Sequence, residues 1–154
     1  MTQTPTQPSQ SQSQSQSQSQ SQSQSQSQSQ ARTVTILVAD DEQDIRELVA
    51  YRLSRSGYSI IEARDGEEAF QLASVQALDM AVLDVMMPRL NGFDLTERLR
   101  RTPGTEWLPI LLMSASVQEA DISRGFAAGA DGYLTKPFTP DQLLTRVRDV
   151  LSRG

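Results

Sequence analysis

Five short runs of β-branched and aliphatic residues recur after residue 32, at 34–39, 58–63, 79–84, 108–113 and 132–135. Four of the five close on polar side chains: Asp40 and Asp41, Asp84, Ser114, and Lys136. Between the runs, apolar residues fall at helical spacing: Ile45, Leu48, Val49 and Leu53, then Ala69, Leu72 and Ala73, then Leu95 and Leu99. A weaker segment at 117–128 carries Gly125 inside and Gly129 at its end, which marks it as a moving part. The last helix shows Leu143, Leu144, Val147, Val150 and Leu151.

Runs that are apolar on every position suit strands buried on both faces, and such strands need a crossover helix between parallel neighbours. The pattern therefore predicts an α/β fold, a doubly wound parallel sheet of five strands flanked by five helices. Turn and cap signals agree with it. Gly57 ends the first helix, Asp65 with Glu68 opens the second, Asn91 caps the third, and Thr139-Pro140-Asp141-Gln142 opens the last. Ligands of such sheets bind beyond the carboxyl ends of the strands, where the polar residues converge.

The chain divides at about residue 32. Residues 1–30 hold no charge, and from Ser9 to Gln30 Ser and Gln alternate without a break. Such a segment buries too little apolar surface to offset an ordering cost of about 1–2 kcal/mol per residue, so 1–32 reads as a disordered low-complexity tail and 33–154 as one folded domain. Self-association through the tail and modification of its serines are the other readings of that segment.

Composition excludes several chemistries. There is no cysteine and no histidine, so thiolate catalysis, imidazole acid–base work and a phosphohistidine of the protein's own are ruled out. A net charge of −5 without a basic stripe argues against nucleic acid as a partner. No stretch is long and apolar enough to span a membrane, and no signal-peptide pattern opens the chain, so the expected location is the cytoplasm.

Three carboxylates gathered at one edge repel by several kcal/mol per close pair, a rough figure for an effective dielectric of about 20, and so call for a cation. An oxygen donor set that would also meet phosphate oxygens suits magnesium, with manganese as the alternative. Taken singly, the motifs are bland: an Asp-Asp pair is a common helix entry, and Lys-Pro-Phe is a turn.

Order and spacing together carry more. Asp41 precedes Asp84 by 43 residues, Ser114 follows after 30 and Lys136 after a further 22. With the Asp84-Val-Met-Met-Pro88 turn ending at Gly92, Ser114-Ala115, Tyr133 and Lys136-Pro137-Phe138, the chain resembles the receiver domain of two-component response regulators over about residues 33–152.

The resemblance implies a flavodoxin-like strand order of 2-1-3-4-5, with Asp84 as phosphoryl acceptor. It implies Asp41 and Asp84 as direct magnesium ligands, Asp40 acting through water, and the backbone carbonyl of Met86 completing the set. Ser114, the Ala115 backbone N–H and Lys136 would bind the phosphoryl oxygens, Tyr133 would turn inward in response, and Pro137 would follow a cis bond. Ser114 also has a local role open to it, bonding the nearby backbone. Ser at 114 and Asn91 before Gly92 are mild departures from the family pattern.

The implied function is a stand-alone receiver, not a conventional enzyme, that takes a phosphoryl group from a histidine kinase or phosphotransfer protein. It would signal to a downstream protein through the face of helix four, strand five and helix five, with room for a dimer of the active form. A pseudo-receiver that binds without phosphorylation is the alternative. A haloacid-dehalogenase-type phosphatase expects an acid two residues after its nucleophile, where Met86 stands.

Overall fold

The computed structural model describes residues 32–153. The expectation of a disordered tail therefore lies, except for Arg32, outside the described residues. Thr33–Gly154 forms one compact unit. Its elements alternate: β1 (Thr35–Ala39), α1 (Gln43–Arg55), β2 (Ser59–Ala63), α2 (Gly66–Val75), β3 (Met80–Asp84), α3 (Gly92–Arg101), β4 (Ile110–Ser114), α4 (Glu119–Ala128), β5 (Gly132–Thr135) and α5 (Pro140–Arg153).

All strand pairs are parallel, in the order β2-β1-β3-β4-β5, which is the doubly wound arrangement the residue pattern and the resemblance imply. Successive side chains of a strand point to opposite faces, so each central strand feeds two cores. Ile36, Val38, Val82, Leu111 and Met113 pack with Val49 and Leu53 of α1 and with Leu143, Val147 and Val150 of α5. Leu37, Ala81, Leu83 and Leu112 pack on the other side with Ala69 and Ala73 of α2 and with Phe93, Leu95 and Leu99 of α3. Each fully buried aliphatic side chain contributes about 1.5–3 kcal/mol.

Helix α4 is the exception, since its only buried residues are Gly125 and Ala128. Its end is set by Gly129, in the left-handed region at φ 114°.

The caps lie where the sequence puts them. Asp65 accepts from the Glu68 N–H at 2.9 Å and Asn91 from the Asp94 N–H at 2.9 Å. Thr139 and Gln142 exchange bonds of 3.1 and 2.9 Å as a full capping box. The Glu68 carboxylate instead reaches one residue further out, to the Arg64 N–H at 2.7 Å.

Three details differ from the pattern reading. Strand β4 starts at Ile110, after Pro109, and runs on to include Ser114. Helix α4 starts at Glu119, not at 117, because Gln118 is extended at φ −72° and ψ 137°, with its N–H donating to the Ser116 hydroxyl at 3.2 Å. On α1, Leu48 is 52% exposed while Arg46 is buried, so the inward stripe is Arg46, Val49, Ala50 and Leu53.

Candidate functional site

Parallel pairing in register brings the strand ends level. Asp84, the last residue of β3, lies opposite Met113, and Ser114, the last of β4, lies opposite Thr135. The backbone continues this alignment beyond the strands: the Val85 N–H bonds Met113 O at 2.9 Å, and the Lys136 N–H bonds Ser114 O at 2.8 Å. Asp40 and Asp41 follow β1 at the same edge.

Asp84 is 3% exposed and Asp40 fully buried. The Lys136 ammonium, on a bond to Pro137 that is cis, donates to Asp84 Oδ1 and to Asp40 Oδ2, both at 3.0 Å. The other oxygen of Asp40 accepts from the Glu42 N–H at 3.0 Å. Asp40 thus serves the entry to α1 and the lysine together, while Asp41 is exposed. One carboxylate oxygen from each of Asp40, Asp41 and Asp84 lies within 4.8 Å of the others.

The electrostatics are those of a crowded acidic pocket. Burial pushes the Asp84 carboxyl up to about 6, with Asp40 and Asp41 adding repulsion and Lys136 working against them. Burial would lower the Lys136 ammonium, but its bonds to Asp84 and Asp40 outweigh that and hold it above its ordinary value. A hard divalent cation fits this donor set, which is all oxygen and carries more negative charge than one lysine balances.

The loop after β3 turns back at Gly92, whose N–H bonds Val85 O at 2.9 Å. A Cβ at Gly92 would stand 2.5 Å from Asp84 O and 2.9 Å from Val85 Cα, so the backbone approaches too closely for any side chain. Met86 lies in this loop with its side chain exposed, beside a cleft of about 570 Å³ that Ser114, Ala115, Ser116, Asp121 and Arg124 also line.

Ser114 is buried, and its hydroxyl accepts from the Ser116 N–H at 3.1 Å. This is the local backbone bond weighed above for a strand-ending serine. Tyr133 is buried, and its hydroxyl donates to Ser116 O at 3.1 Å.

Two neighbours of the site escaped the sequence reading. Arg46 donates to Asp40 O at 3.0 Å and to Glu62 at 3.1 Å, bracing the acid pair from α1 and β2. Its signal was an arginine at helical spacing with Val49, Ala50 and Leu53. Ser116, at the centre of the β4–α4 loop, had no sequence signal beyond lying two residues past Ser114.

No helix among the described residues is long and apolar enough to cross a membrane. The family model described as the response regulator receiver domain matches residues 36–148. The alkaline phosphatase synthesis transcriptional regulatory protein PhoP of Bacillus subtilis is 45% identical over 119 residues, which cover 77% of this chain and 49% of that protein. The chain spans about half the length of the curated relatives it matches.

Among solved structures, the chemotaxis response regulator CheY4 of Vibrio cholerae superposes with a TM-score of 0.74 at 33% identity, over 77% of this chain and 99% of that one. The receiver domain of the sensor histidine kinase PA1611 of Pseudomonas aeruginosa gives 0.73 at 25% identity, covering 79% of this chain and 99% of that one. It holds a magnesium ion in its active-site cleft. The acidic pocket at the strand ends, the strand order and a match along nearly the whole folded unit lead to one assignment: this chain belongs to the response regulator receiver domain family of two-component signalling.

Proposed function

We propose that Asp84 accepts a phosphoryl group from a phosphohistidine of a histidine kinase or phosphotransfer protein. The observation that carries this is Asp84 itself: a buried strand-end carboxylate that accepts from the Lys136 ammonium and lies within 4.8 Å of a carboxylate oxygen of each of Asp40 and Asp41. A carboxylate oxygen of Asp84 attacks phosphorus in line, the P–N bond breaks, and its electron pair stays on the donor imidazole. The protein's work is positioning and charge neutralisation.

Lys136 holds Asp84 in place before transfer and turns to the phosphoryl oxygens after it. Ser114 and the Ala115 N–H offer hydrogen bonds to the same oxygens. Asp41, exposed at the strand-end edge, and Asp84 would hold magnesium directly. Asp40, with both oxygens already engaged, would act through water, and the Met86 carbonyl would complete the protein's share. The metal supplies charge neutralisation on the transferring oxygens; manganese satisfies the same donor set.

Output by partner binding, in the cytoplasm and not as a conventional enzyme, belongs to the same proposal. The net charge of −5 disfavours DNA, and the β4–α4 loop, β5 and α5 form a cleft of about 640 Å³ lined by Val117, Leu134, Gln142 and Arg146. Acetyl phosphate with magnesium tests the acceptor. Wild type is expected to take up label and Asp84→Asn to take up none; equal labelling of the two would refute the assignment.

A further inference from the structure

Helix α4 begins without a cap of its own, since Gln118 at the N-cap position makes no side-chain bond to the helix. Its first turn is closed from outside by Ser116. The Ser116 hydroxyl donates to Asp121 Oδ2 at 2.6 Å and accepts from the Gln118 N–H at 3.2 Å. The first of these is a short, charge-assisted bond, the strongest type available to a hydroxyl. The remaining polar groups of Ser116 point the other way. Its N–H donates to the Ser114 hydroxyl at 3.1 Å, and its carbonyl accepts from the Tyr133 hydroxyl at 3.1 Å. All the polar groups of one residue are thus committed, two towards β4 and β5 and one towards α4.

The geometry points to Ser116 as the joint through which a change at Asp84 reaches α4. We propose that it is a positioning residue whose hydroxyl ties the first turn of α4 to Ser114 and Tyr133. This rests on the acceptor reading of Asp84, in which Ser114 turns its hydroxyl to the phosphoryl group. When that turn carries the Ser114 oxygen away, the Ser116 N–H loses its acceptor in a part-buried loop, and a donor left unpaired there must be re-paired by moving the loop. Because the Ser116 side chain grips Asp121 and Gln118, the loop cannot move without the first turn of α4. That turn is lightly held, since Glu119 and Ala120 are exposed and Ile122 packs on the core only half-buried. Without the hydroxyl, the loop could re-pair while α4 stayed where it is.

The test is amide hydrogen exchange at residues 118–122 of the full chain, with and without acetyl phosphate and magnesium, normalised to the fraction labelled. In wild type, labelling is expected to change exchange at these amides by about tenfold, the order of one hydrogen bond. In Ser116→Ala the change is expected to fall below about twofold, with Ser116→Thr restoring it because the hydroxyl returns. Asp121→Ala removes the same bond from the other end and is expected to behave like Ser116→Ala. A full tenfold response in labelled Ser116→Ala would overturn the inference while leaving the acceptor in place. Failure of wild type to take up label would overturn the acceptor reading and the inference with it.

Discussion

Lys136 holds two buried carboxylates on one ammonium, at 3.0 Å from each, and this arrangement sets the pH behaviour of the site. Asp84 titrates near 6 in the folded protein and near 3.8 in the unfolded chain. The folded state therefore carries a penalty for the ionised form that is complete above about pH 6. The penalty is relieved as pH falls through 6, and it is gone by about 3.8, where both states are protonated. Asp84→Asn removes it. Without metal, that variant is expected to be more stable than wild type at pH 8 by on the order of 1–3 kcal/mol, reduced by whatever water reaches the cleft mouth. The gain should shrink to nothing towards pH 4 in denaturant melts, and a gain constant across that range would contradict the account. Lys136→Met should move the Asp84 titration further above 6, read by carboxyl carbon NMR; an unmoved titration would mean the lysine does not neutralise it.

Among the elements, the entry to α3 tolerates little change, because Gly92 lies against the carbonyl of Asp84. Gly92→Ala is expected to cost at least about 1–3 kcal/mol and to slow labelling of Asp84, since relief of the clash must shift the acceptor's own backbone. A variant with unchanged melting and labelling would show that the loop has slack. The strands were legible in residues 34–135 because a strand buried on both faces leaves an unbroken apolar run with polar residues at its end, whereas their order in the sheet came from the family resemblance. The inward face of α1 was not legible. Leu48 and Arg46 exchange the places that hydropathy assigns them because Arg46 is bound to Asp40 O and Glu62, partners six and 16 residues away. Similarly, α4 begins after an extended Gln118 whose N–H is bonded by a serine hydroxyl outside the helix, which no propensity scale registers. Of the site, the residue types and spacing were visible in the sequence, whereas the lysine's bond to Asp40 and the local bond of Ser114 depend on geometry.

For the molecule as a whole, three acids at one edge couple metal to folding. A cation that binds only the folded state adds about 2.7 kcal/mol when present at about 100 times its dissociation constant. Magnesium is expected to raise the melting temperature of wild type at pH 8, and to raise that of Asp84→Asn or Asp41→Asn much less; equal shifts in all three would place the ion elsewhere. The chain's phosphoryl group has one predicted address among 19 acidic residues and a serine-rich amino-terminal segment. Peptide mapping of the protein labelled with acetyl phosphate and magnesium reads that address directly. An acid-stable, base-labile acyl phosphate confined to the peptide containing Asp84, and missing when magnesium is chelated, is the predicted result. Label on a serine of the first 31 residues, or on Asp40 or Asp41, would contradict it.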